Sequence, residues 1–174
     1  MEKILEQLPK LAEEAKKESQ KYFARLKKRT PKRLDYLMQE LHDEEFKKTD
    51  CLDCGNCCKT TSPIFTNIDV DRISKHLKIK SAAFTDKYLQ RDEDDFLVLK
   101  TAPCSFFDAV DNSCFIYKVR PKACAEYPHT NRKKFIGITD LTIENTSVCP
   151  AAYTIVENLK KHLPLEGNKK VKRS

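Results

Sequence analysis

Residues 50–61 read Asp50-Cys51-Leu52-Asp53-Cys54-Gly55-Asn56-Cys57-Cys58-Lys59-Thr60-Thr61, four cysteines within eight positions of a chain that has eight in all. Two-residue spacings let sulfurs converge on one ion, because the intervening turn folds back and aims its N–H groups at the thiolates. Cys51, Cys54 and Cys57 have that spacing twice, and Gly55 suits the tight backbone between them. Four clustered thiols have no packing advantage, so ligation is the reading. Cys58 is the awkward member, since adjacent side chains usually point apart, and it is a candidate for a second site.

The other four cysteines follow at Cys104, Cys114, Cys124 and Cys149. Cys104 and Cys114 flank the turn-rich "AVDNS", which predicts a hairpin that brings them near each other. Pro121 opens a single helical turn containing Cys124, and Pro150 occupies the first turn of a helix with Cys149 at its entrance. Any one of these four taken alone reads equally well as a small buried hydrophobe. Eight thiols divide into two four-cysteine sites, into one four-iron cluster plus one zinc, or into one site with spare cysteines. Composition leaves that choice open, with a slight lean to iron–sulfur at the first cluster because Cys104, Cys114 and Cys124 stand singly rather than in a second two-residue knuckle.

The ordered set C-x2-C-G-x-C-C at 51–58, "PCSFFD", "CFIYKVRPKAC" with "YP" after it, and Cys149-Pro150 resembles the YkgJ-type CxxCxxCC cysteine-cluster family over about residues 50–152. That resemblance implies a zinc- or iron-chelating domain in which Cys51, Cys54, Cys57, Cys58, Cys104, Cys114, Cys124 and Cys149 are the metal ligands. Related clusters occur in flagellin lysine methyltransferases, but nothing here supplies the rest of such an enzyme. Many relatives have Arg after the cysteine matching Cys124, where this chain has Ala125.

Length and composition frame the rest. The 174 residues fit one domain of ordinary size with a modest core, and three glycines, no tryptophan and 34% charged residues describe a helix-leaning protein. The expected fold is mainly α with a small β-hairpin, a small α+β domain stapled by metal. Residues 1–48 are expected as an N-terminal helical arm, 49–163 as the cysteine-cluster domain and 164–174 as a basic disordered tail. Ile4, Leu8, Leu11, Ala15, Tyr22 and Leu26 predict a first amphipathic helix, starting properly at Pro9. Thr30 as cap and Pro31 in the first turn predict a second, carrying Leu34, Leu37, Met38, Leu41 and Phe46. Thr66 is expected to cap a helix with Ile68, Val70, Ile73 and Leu77, and Ser81 a shorter one with Phe84, Tyr88 and Leu89. "RDEDD" reads as a solvated loop and "FLVLK" as a strand.

No stretch has the roughly 20 apolar residues of a bilayer helix, and the charged start lacks the apolar run of a signal peptide, so a cytoplasmic location is expected. In a reducing compartment, eight cysteines point to metal or reactive thiols before disulfides. The formal charge of +7 divides unevenly: residues 1–50 hold 13 Lys/Arg against 11 Asp/Glu, residues 51–159 hold 14 against 14, and residues 160–174 hold 6 against 1. Eight thiolates would make the cysteine-bearing body acidic, the wrong sign for gripping phosphates, so nucleic acid is not an expected partner. "KKR" at 27–29 and "KKVKR" at 169–173 read as solvated ends. His129 reads as a surface residue before a ligand, Tyr117 and Tyr127 as core aromatics, and Arg120 either as a cation beside thiolates or as one half of an ion pair. The favoured function is metal binding, with zinc, iron or an iron–sulfur cluster as cofactor. The competing readings are a redox or transferase-associated enzyme using that metal, and an interaction module docking a protein through the N-terminal helix or the basic tail.

Overall fold

The computed structural model describes residues 2–164. In chain order the helices are α1 (Glu2–Lys28), α2 (Leu34–Phe46), α3 (Cys51–Cys54), α4 (Asn56–Thr60), α5 (Asn67–His76), α6 (Ser81–Tyr88), α7 (Lys122–Ala125), α8 (Thr139–Thr146) and α9 (Pro150–His162). Three short strands, β1 (Ile64–Phe65), β2 (Leu89–Arg91) and β3 (Leu97–Leu99), form one antiparallel sheet in the order β1-β3-β2. The mainly α fold with a small sheet is therefore as expected. Among the described residues, no helix is long and apolar enough to cross a membrane.

The chain divides into two compact units, residues 50–128 and residues 2–49 together with the segment from 129 onward. In the second of these, the helical unit, α2 packs on α9, α1 packs on α8 and α9, and α8 packs on α9. Tyr22, Phe23 and Leu26 of α1, Leu34, Met38 and Leu41 of α2, and Ile155, Val156 and Leu159 of α9 form its core with Phe135 and Ile143. Burial of such side chains contributes roughly 1.5–3 kcal/mol each. The Tyr22 hydroxyl donates to the Leu163 carbonyl at 2.9 Å, satisfying one of the orphan carbonyls at the end of α9. Burial pushes the Tyr22 phenol up to about 12, so it remains a donor.

Helix α1 does not wait for Pro9. It starts at Glu2 and runs through the proline. One internal hydrogen bond is lost there, but Leu8 and Ala12 on either side are both buried, and that packing holds the turn. Thr30 does not cap α2, because its hydroxyl donates back to the Leu26 carbonyl of α1 at 3.1 Å, and the chain turns through Pro31 before α2 begins after Arg33. Pro150 does lie in the first turn of α9, with Ala152, Ile155, Val156 and Leu159 buried as expected.

In the 50–128 unit, Phe65, Val70, Ile73, Phe84, Leu89, Leu99, Phe106 and Ile116 make a separate core. Phe106 stacks on Phe84 at 6.1 Å and meets Tyr88 at a tilt, 4.9 Å between ring centres. The Thr66 cap is present as a full capping box with Asp69, while Ser81 turns its hydroxyl to Asp71 instead of capping α6. Ile68 is exposed, because the inward stripe of α5 is Val70 and Ile73. The regular hairpin joins β2 to β3, with Leu89 opposite Leu99 and "RDEDD" at its turn. The segment from Cys104 to Cys114 keeps a hairpin-like reversal with only the single bridge Phe107–Cys114. Asp108, Asp111 and Asn112 satisfy or bend that loop locally, so its backbone has little ladder left to form. The expected disordered tail, 164–174, lies outside the described residues except for Pro164.

Phe135 is fully buried and its ring meets Phe23 edge-on at 6.0 Å. Phe135→Ala is expected to destabilise the helical unit by roughly 3–5 kcal/mol, read as a fall in the denaturation midpoint by circular dichroism.

Candidate metal centre

Asp50 begins the site. Its carboxylate accepts from the Leu52 N–H at 2.8 Å and starts the one-turn helix α3, which carries Cys51 and Cys54. The chain then reverses at Gly55 in the left-handed conformation, φ 59°, and enters α4, which carries Cys57 and Cys58. A Cβ at Gly55 would stand 2.9 Å from Asn112 Oδ1 and 3.0 Å from the Phe107 ring. Glycine is thus required twice, by the backbone and by the loop packed against it.

That loop is the Cys104–Cys114 segment. The Cys104 N–H donates to the Cys58 carbonyl at 2.8 Å, Asn112 Nδ2 donates to the Asp53 carbonyl at 3.4 Å, and Lys59 Nζ lies 5.5 Å from the centre of the Phe107 ring. Phe106 and Ile116, each two residues beyond a cysteine, are buried in the core, so Cys104 and Cys114 are anchored by their neighbours.

Cys124 arrives on α7, and its position is set from α5. Asp69, only 1% exposed, accepts from Thr66 N–H and Oγ1 through one oxygen, and from Arg72 Nη2 at 2.6 Å and the Lys122 N–H at 3.1 Å through the other. The same Arg72 nitrogen donates to the Arg120 carbonyl at 2.8 Å. Burial alone would push the Asp69 carboxyl up, but the hydrogen bonds from Thr66, Arg72 and Lys122 outweigh it and hold it below the usual carboxylate range. Sequence reasoning found the cap at Thr66 but not this clamp. Thr66 signalled the cap, and nothing local signalled partners for Asp69 about fifty residues away.

Arg120 stands over the Tyr117 ring at 3.9 Å and donates to the Tyr117 carbonyl at 2.9 Å. Tyr117 is accordingly a half-exposed platform rather than a core aromatic. The Arg120 charge favours the thiolates of Cys51, Cys114 and Cys124, which supports the first of its two readings.

None of the eight cysteines, all among the described residues, is paired in a disulfide. A hydrogen bond from the Cys57 side chain is the main cause that lowers Cys58 to about 7, against burial and with help from Lys59. Burial is the first cause that raises the thiols of Cys51, Cys104, Cys114 and Cys124, and all four are raised further by the charge on Cys58. Cys54 also raises Cys51, and Cys104 and Cys114 raise Cys124, which reaches about 12, while Cys104 reaches about 11. These couplings bring Cys51, Cys54, Cys57, Cys58, Cys104, Cys114 and Cys124 into one electrostatic neighbourhood centred on Cys58. Cys149 belongs to the helical unit, where its sulfur accepts from the Ala152 N–H at 3.4 Å as the cap of α9.

Among the described residues, no three His, Cys, Asp or Glu side chains form a group already set to hold a metal ion. The donor chemistry nevertheless fits zinc or iron, which favour soft sulfur donors. A cation would also remove the mutual repulsion that raises these thiols.

A family model described as "Putative zinc- or iron-chelating domain", CxxCxxCC, matches residues 50–150. The chain belongs to this CxxCxxCC family. An uncharacterized protein of Methanocaldococcus jannaschii is 33% identical over 82 residues, covering 46% of this chain and 44% of the relative. The chain thus spans less than half the length of that curated relative. No solved structure matches the chain. Membership supports a bound metal, zinc or iron, and assigns no further role.

Gly55→Ala is expected to destabilise the 50–128 unit by roughly 1–3 kcal/mol, from left-handed strain and from the approach of Phe107, read by denaturant titration. Asp69→Asn is expected to cost about 1–3 kcal/mol at pH 7. Because the native carboxyl lies below its unfolded value near 3.9, its contribution is present above that value and fades as pH falls through the lower native one. The stability gap between parent and Asp69→Asn should therefore close in acid, and a gap that persists below both values would refute the charge-based account.

Proposed function

We propose that the 50–128 unit is a thiolate metal centre holding zinc or iron, an iron–sulfur cluster being one form of the latter, and that the metal is structural for this unit. The proposed ligands are drawn from Cys51, Cys54, Cys57, Cys58, Cys104, Cys114 and Cys124. Cys149 is included as an eighth on the strength of the family match, which runs to residue 150. The observation that supports the reading is the Cys104 N–H donating to the Cys58 carbonyl at 2.8 Å, which joins the 104–114 segment to the 51–58 run at Cys58. Thiols from separate segments, at Cys51, Cys104, Cys114 and Cys124, all feel its charge.

A unit of this size with one small aromatic core gains most from a cross-link that joins distant segments. Structural zinc contributes on the order of 10 kcal/mol in small domains, comparable with total stability. Arg120 would offset part of the negative charge of several thiolates on one or two cations.

The test is elemental analysis with an ultraviolet-visible spectrum on protein purified without oxygen. Zinc gives a colourless protein, and an iron–sulfur centre gives broad visible absorption bleached by reductant. Cys58→Ser is expected to lose most of the bound metal, and chelation to increase amide exchange through residues 50–128. Protein that carries no zinc or iron, with all its thiols open to alkylation, would sink the proposal. Cys149→Ser retaining full metal content would remove Cys149 from the ligand set and leave the rest.

A further inference from the structure

The helical unit carries a feature that metal binding does not use. Residues 25–34 contain six Lys/Arg and no acid, and residues 131–136 contain three more and again no acid. The fold joins these two stretches. Asp35, in the first turn of α2, accepts from the Lys134 N–H at 2.7 Å and the Phe135 N–H at 3.1 Å, and Phe135 inserts against Phe23 of α1. Arg132, Lys133 and Lys134 are thereby fixed beside the turn that links α1 to α2, where Arg29, Lys32 and Arg33 are exposed. Lys134 is held in the left-handed conformation, φ 58°, uncommon for a residue with a side chain.

Two carboxylates beside these cations are engaged within the unit. Asp35 gives both oxygens to backbone N–H groups, and Asp140 pairs with Lys27 at 3.0 Å. Beside the cations stands Tyr36, 54% exposed, with the Arg33 guanidinium 4.9 Å from its ring centre. Cations that track a backbone together with an exposed ring on which a base can stack are the requirements for holding single-stranded nucleic acid. A membrane surface would ask for an apolar face to bury, and the apolar faces of α1 and α2 are taken up in the core.

We infer that this face binds single-stranded nucleic acid, with Arg29, Lys32, Arg33, Arg132, Lys133 and Lys134 on the phosphates and Tyr36 stacking a base. In the sequence alone "KKR" at 27–29 reads as a solvated end, and it is the fold that sets Lys134 and its neighbours Arg132 and Lys133 beside the following turn. The inference does not depend on the metal.

The experiment is fluorescence anisotropy of the full chain with a labelled oligouridine of roughly 12 nucleotides, over salt concentrations from about 50 to 200 mM. Binding is expected in the micromolar range at the low end. The plot of log affinity against log salt should have a slope of about −2 to −4, as three to six phosphate contacts on a single strand require. Replacing Lys32, Arg33, Lys133 and Lys134 together by Ala should weaken binding at least about tenfold and flatten that slope. Tyr36→Ala should weaken it roughly fivefold or more with the slope kept, and Tyr36→Phe should restore it. Replacing Lys169, Lys170, Lys172 and Arg173 by Ala should leave affinity within about twofold of the parent. If the quadruple variant at the face loses helical signal, the pair Lys32→Glu and Lys133→Glu, one residue from each stretch, carries the test. The inference is overturned by absence of binding at low salt, by parental affinity in the face variants, by loss of binding on the tail substitutions alone, or by a preference for vesicles of anionic lipid over the oligonucleotide.

Discussion

Gathering Cys51, Cys104, Cys114 and Cys124 around Cys58 places like charges close together where burial already disfavours charge. Protons or a cation must answer that arrangement. Burial first, with the neighbouring thiolates adding to it, pushes Cys104 up to about 11 and Cys124 up to about 12, while Cys58, stabilised by Cys57, falls to about 7. One sulfur thus readily carries the first negative charge, and the others surround it. The grouping is unfavourable for bare thiolates and favourable for thiolates on a shared cation, which is the physical content of the proposed function.

The polypeptide reaches this grouping through fixed points that are not sulfurs. Gly55 lets α3 and α4 meet at a reversal against which Phe107 can pack, and the Cys58 carbonyl then holds the Cys104 N–H. Asp69 does the same for Cys124 from the other side of the sequence, since its buried carboxylate fixes residue 122 directly and residue 120 through Arg72. Removing a partner from a buried charged pair leaves a charge without compensation, costlier than losing an exposed bridge. The cysteines are therefore brought together largely by neutral packing and by one carboxylate.

Much of this was legible in the sequence, and the reasons differ by element. The cysteine run was legible because thiol spacing is itself the signal, and Gly55 because a turn between two-residue spacings needs a glycine. Pro150 and Thr66 announced their helices because capping is local chemistry. Thr30 and Ser81 misled for the same reason in reverse. A hydroxyl that can cap can also donate to a carbonyl behind it or a carboxylate across from it, and only tertiary neighbours choose. Pro9 misled because buried Leu8 and Ala12 outweighed a local preference. The packing of α1 and α2 with α8 and α9 left no sequence mark, since an amphipathic stripe says that a face is buried and not against what.

The order of the chain bears on how the two units depend on each other. Residues 50–128 are inserted between the two stretches that build the helical unit, so the insertion is tethered at both ends. The helical unit draws its stability from an apolar core with no cysteine in it. If the insertion lost its order, the helical unit would have to close a loop of about eighty residues, but closure entropy grows only with the logarithm of length, about 0.6 kcal/mol per doubling. The reverse coupling is of a different kind. The helical unit holds the two ends of the insertion in place, which restricts the unfolded 50–128 chain and reduces the entropy it loses on ordering. The cysteine-bearing insertion is thus the part whose folding is assisted, and the unit with the larger apolar core is the one that assists it.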